Sequence, residues 1–128
     1  MSRIEFDEDF ETYVNLGDGL EEVCLVMSDD LDAAYQPLPL EYEKRIIDFL
    51  SKVDQWLPMV EERIDSEFSA EVESELMQVF ILSEPVEDDL IFGLDFRVEE
   101  DIEHGRGAKV SMNDLSIIEY GLADIAFS

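Results

Sequence analysis

The chain has 128 residues, 46% of them hydrophobic, and carries 34 acidic against 8 basic residues for a formal net charge of -26. One domain spanning 1–128 with its own core is expected at this length, and the apolar fraction argues against disorder. The charge excludes nucleic acid and anionic membrane surfaces as partners, because both would be repelled, and it favours a cationic one.

In chain order, residues 3–6 read as a short edge strand, with Ile4 and Phe6 on one face. Residues 12–16 and 20–27 flank Gly17-Asp18-Gly19, and a glycine-rich connection between two apolar runs signals a hairpin. Residues 28–39 have acids, two prolines and no clear period, so they read as a loop. Residues 40–68 are the longest helix-period stretch. Tyr42, Ile46, Phe49, Leu50, Val53, Trp56, Leu57, Val60, Ile64 and Phe68 recur every three or four positions and share one face. Pro58 lacks an amide hydrogen and its ring collides with the preceding turn, so two segments are expected, about 40–56 and 58–68.

Residues 77–82 and 90–98 are the clearest strands. Leu90, Phe92, Leu94, Phe96 and Val98 alternate with Ile91, Gly93, Asp95 and Arg97, which places one row on a core. Pro85 and four acids make 83–89 an exposed turn. Residues 108–112 and 115–120 straddle an Asn113-Asp114 turn, and the adjacent Ile117 and Ile118 break the alternation in a way a bulge would absorb. Residues 121–127 form a last short strand or a turn that lays Phe127 on the core. The sum is an α+β domain: an antiparallel sheet of about five to seven strands packed on a long or kinked helical hairpin at 40–68. Phe49, Val53, Trp56, Val60, Ile64, Phe92, Leu94 and Phe96 are the expected core.

No catalytic or cofactor motif is present, and neither an enzyme nor a cofactor is expected. His104 is the only histidine, so a zinc site lacks ligands. Asp7, Asp9 and Glu11 are spaced like the start of an EF-hand loop, but Thr12 stands where glycine is required. A carboxylate-based hydrolase would need a deep pocket with two close acids of displaced titration. Cys24, the only cysteine, permits no intrachain disulfide and sits among Val23, Leu25 and Val26 as a core residue would. The first ten residues hold no signal-like apolar run and no stretch reaches the roughly 18 apolar residues of a membrane span, so a cytoplasmic protein is expected.

Recognition remains. No basic residue occurs between Arg3 and Lys44, and the acids there and in the 83–89 turn could imitate nucleic-acid phosphates toward a cationic cleft. The candidate partner-binding residues are Asp18, Glu21, Glu22, Asp29, Asp30, Asp32, Glu84, Glu87, Asp88 and Asp89.

From Glu103-His104-Gly105 through residues 108–112 to Ile118-Glu119-Tyr120-Gly121-Leu122-Ala123-Asp124-Ile125-Ala126-Phe127, the chain resembles the closing hairpin of small bacterial α+β domains. In those, H-G-x-G leads into a strand, a tight turn, a second strand ending in glycine, and A-D-x-A-F. In length, charge and lack of a signal the chain is also similar to the immunity proteins that accompany contact-dependent and other polymorphic toxins. That resemblance implies an inhibitor of a basic toxin domain, expected to be a nuclease, that occludes the active cleft with acids. It carries over no catalytic residues. The alternative is a general acidic regulatory or structural module of the cytoplasm.

Overall fold

A computed structural model describes residues 6–8, 10–16, 22–28, 31–35 and 38–127, with only the backbone at 32 and 33. The period-two segments form strands β1 (Glu11–Asn15), β2 (Glu22–Met27), β3 (Ser74–Ile81), β4 (Ile91–Val98), β5 (Arg106–Ser111) and β6 (Ser116–Gly121). Helices α1 (Leu40–Ser51) and α2 (Val53–Phe68) lie between β2 and β3, and short 3-10 turns occupy Asp32–Tyr35, Glu99–Asp101 and Ala123–Phe127. The fold is α+β. Residues 3–5 of the expected edge strand and the turn at 17–19 lie outside the described residues.

The strands stand in sequence order in one six-stranded sheet. It is mixed rather than wholly antiparallel, because β2 and β3 pair parallel with Leu25 beside Val79 and Met27 beside Ile81. The two helices between them form a crossover that returns the chain to the end where β2 began, whereas the other neighbouring strands pair antiparallel.

Helix periodicity and strand alternation meet in one core. Tyr42, Ile46, Phe49, Val53, Trp56, Val60 and Ile64 are buried against Leu25, Met27, Val79, Ile81, Phe92, Leu94, Phe96 and Val98. Phe49 sits between two parallel rings, 3.9 Å from Phe92 and 4.9 Å from Trp56. Among the described residues, no helix is long and apolar enough to cross a membrane.

The helix break is not where proline suggested. It falls at Lys52, whose φ of -97° and ψ of 20° leave the helical basin, while Pro58 is accommodated inside α2. Pro58 is exposed, as is Asp54, whose carbonyl loses its helical partner, so water can satisfy it and no break is enforced there.

Lys109 pairs with Glu119 and Val110 with Ile117, so Ile118 is the extra residue of the anticipated bulge. The 82–90 connection is folded back on the protein: Tyr42 donates its hydroxyl to the Ser83 carbonyl at 2.7 Å, and Arg45 donates to the carbonyls of Glu87 and Asp88 at 3.0 and 2.9 Å. The chain ends in a 3-10 turn that buries Ala126 rather than Phe127. That turn lies on the sheet face opposite the helices, where a Cβ on Gly93 would sit 1.7 Å from the Ala126 carbonyl oxygen.

Candidate functional site

The acids on α2 and on the segment after it converge on one concavity. Glu61 and Asp65 are four residues apart and therefore share a helix face. Ser69 ends α2 in the left-handed conformation, with φ 55°. The Asp65 side chain then accepts the Val72 N–H at 3.0 Å, and its carbonyl accepts the Ala70 N–H at 3.2 Å. Residues 70–73 are thereby turned toward β3, and the Glu99 N–H reaches the Glu73 carbonyl at 3.0 Å.

The result is an open cleft of about 600 Å³ at the start of β3, lined by six carboxylates (Glu61, Asp65, Glu71, Glu73, Glu75 and Glu99) and one guanidinium, Arg97. Arg97 is Glu75's cross-strand partner and lies 3.7 Å from the Glu99 carboxylate. Burial, reinforced by the Asp65 charge, pushes the Glu61 carboxyl above the usual carboxylate range. Such a concavity suits an ammonium or guanidinium group, which would relieve the mutual repulsion of its walls.

Each described basic residue already has an internal acceptor. Lys44 is 3.6 Å from Glu41, Lys52 is 3.2 Å from Asp48 and Lys109 is 3.3 Å from Glu119. Arg45 holds loop carbonyls, Arg63 lies 4.2 Å above the Tyr120 ring, and Arg97 faces Glu99. Arg106 is buried between Glu67 and Asp101, each at 2.7 Å, over the face of Phe68. Its hydrogen bonds hold the Glu67 and Asp101 carboxyls below their usual range. Tyr120 donates its hydroxyl to Glu67 at 2.6 Å, so this network fastens α2 to β5 and β6. The described surface thus presents acids in excess of unengaged cations.

The sequence-nominated acids fall elsewhere. Asp18, Glu21, Asp29 and Asp30 lie outside the described residues, and Asp32 opens the 3-10 turn after β2. Glu22 is exposed at the start of β2. Glu84, Glu87, Asp88 and Asp89 come together after β3, at the end opposite the cleft. Glu87 accepts the Glu84 N–H at 2.6 Å, and Asp89 accepts from the Ser111 hydroxyl and from the Asn113 N–H, so both carboxylates help shape the loop. No motif marks the cleft acids in the sequence, although Glu71, Glu73 and Glu75 alternate as same-face strand residues do.

His104 is an exposed loop residue beside Asp101, and Cys24 is buried on the sheet face opposite the helices with its thiol pushed up by burial. Among the described residues, no three His, Cys, Asp or Glu side chains are grouped to hold a metal ion. Comparison with family models, curated protein sequences and solved structures finds no match to this chain.

Proposed function

We propose that this protein is a non-enzymatic binding module for a cationic protein surface. Following the resemblance of its closing hairpin, we take it to be a cytoplasmic immunity protein that neutralises a basic toxin domain, a nuclease, by occupying its active cleft with acids. The observation that carries the reading is the concave cleft with six carboxylates facing one already engaged guanidinium. Opposed potentials accelerate encounter, and a basic side chain entering the cleft gains several carboxylate contacts at once.

The test is to mix the protein with the product of the adjacent upstream gene. A complex that forms at low salt and weakens as salt rises supports the proposal. Absence of binding at low salt removes it, and capture of a housekeeping assembly instead points to a general acidic regulatory module.

A further inference from the structure

The sheet face opposite the helices is covered unevenly. Its β4 to β6 half is roofed by the Ala123–Phe127 turn, which fits over Gly93, Gly107 and Gly121. Over β1 to β3 the registers align Tyr13 with Cys24 and Gln78, and Val26 with Phe80, on that same face. Tyr13 is 64% exposed and Phe127 is 52% exposed, with the Phe127 ring 5.4 Å from Phe80. Val26 and Phe80 are half-buried between them. Val26, Phe80 and Phe127 form an apolar row on β2 and β3, with Tyr13 diagonal to Val26 on β1 and Glu11 directly beside it, so the apolar strip across these strands, about 4.8 Å apart, is bordered by an acid and calls for an occupant.

Charge decides what that occupant is. No Lys or Arg occurs in β1, β2 or β3, and Glu11 and Glu22 project from the same face. A second copy would bring another net charge of -26 against them. Glu75, a wall of the acidic cleft, lies on this same face of β3 through its pairing with Arg97, about 16 Å along the strand from Phe80, so one partner can reach both.

We propose that the strip formed by Tyr13, Val26, Phe80 and Phe127 receives an apolar anchor of the same cationic protein partner whose basic side chains enter the cleft. This rests on the functional reading above and adds a second contact to it. An aromatic or aliphatic side chain set among lysines or arginines matches both the strip and its acidic border.

The probe is a Lys-Lys-Trp-Lys-Lys peptide, compared with its counterpart carrying serine in place of tryptophan, each titrated into the full chain at low salt. The tryptophan peptide is expected to bind about tenfold more tightly, with amide shift changes concentrated at Tyr13, Val26, Phe80 and Phe127. The double variant Tyr13→Ser/Phe127→Ser, whose melting temperature stays near the parent's because both side chains are largely exposed, should abolish that advantage and leave the serine peptide unaffected. Equal binding of the two peptides, or an advantage that survives in the double variant, overturns the strip while leaving the cleft reading intact. Saturable binding of neither peptide overturns both. Self-association of the protein that the double variant abolishes assigns the strip to a second copy and overturns it as well.

Discussion

The indole Nε1 of Trp56 donates to the carbonyl oxygen of Phe49 at 2.7 Å. In an unbroken helix that carbonyl would accept the N–H of Val53, but at the α1 to α2 junction the Lys52 N–H approaches it at 3.0 Å instead. Trp56 therefore caps the break while its ring, nearly parallel to Phe49 at 6°, continues the aromatic stack. Trp56→Ala should cost about 3–5 kcal/mol through the cavity it leaves. Trp56→Phe retains an apolar ring and loses the donor, so it should cost about 1–3 kcal/mol. Chemical denaturation measures both, and a Trp56→Phe variant as stable as the parent would show that the hydrogen bond contributes nothing.

Closing the sheet at the other face depends on the absence of a side chain at Gly93. Gly93→Ala places a methyl group on the Ala126 backbone and should destabilise by about 1–3 kcal/mol. Hydrogen exchange should rise at residues 123–127, and protection equal to the parent's would refute the packing argument.

Glu67 stabilises the fold as an anion. Because Arg106 holds its folded value below the ordinary 4.5, its contribution is fully present above that pH and is lost as pH falls through the lower folded value. Glu67→Gln should cost about 1 kcal/mol at neutral pH after solvent screening, and the difference should close in strong acid. Urea melts at several pH values measure the convergence.

Glu61 behaves in the opposite sense. Its folded value is raised above 4.5, so the folded form binds the extra proton and stability falls as pH rises through that window. Glu61→Gln removes the ionised group and should raise stability at pH 7 by about a few tenths of a kcal/mol, with no gain at acid pH below the ordinary value. A loss at pH 7 would show that the carboxylate has a stabilising partner.

Charge reversal separates the two acidic regions. Glu61→Lys with Glu75→Lys should slow association with the cationic partner by about tenfold at low salt and little at high salt, since these charges steer encounter. The same reversal at Glu87 and Asp88, at the far end of β3, should have the smaller effect on the on-rate. Stopped-flow mixing distinguishes them, and the reverse ranking would put the interface at the 82–90 loop.

The local rules were legible in particular residues. The stripe from Tyr42 to Ile64 is the buried stripe of the two helices, the alternation from Leu90 to Val98 is the buried row of β4, and the paired Ile117 and Ile118 mark the bulge in β6. Each depends on periodicity and apolar transfer, which act over a few residues and are written directly in the order of side chains. Tertiary structure decided the parallel pairing of β2 with β3, the displacement of the helix break from Pro58 to Lys52, and the gathering of Glu61, Asp65, Glu75 and Glu99 around one cleft. Those outcomes depend on which distant groups become neighbours: a crossover sets strand direction, an indole donor accommodates a helix break, and acids far apart in sequence share a concavity only once α2 is packed on the sheet.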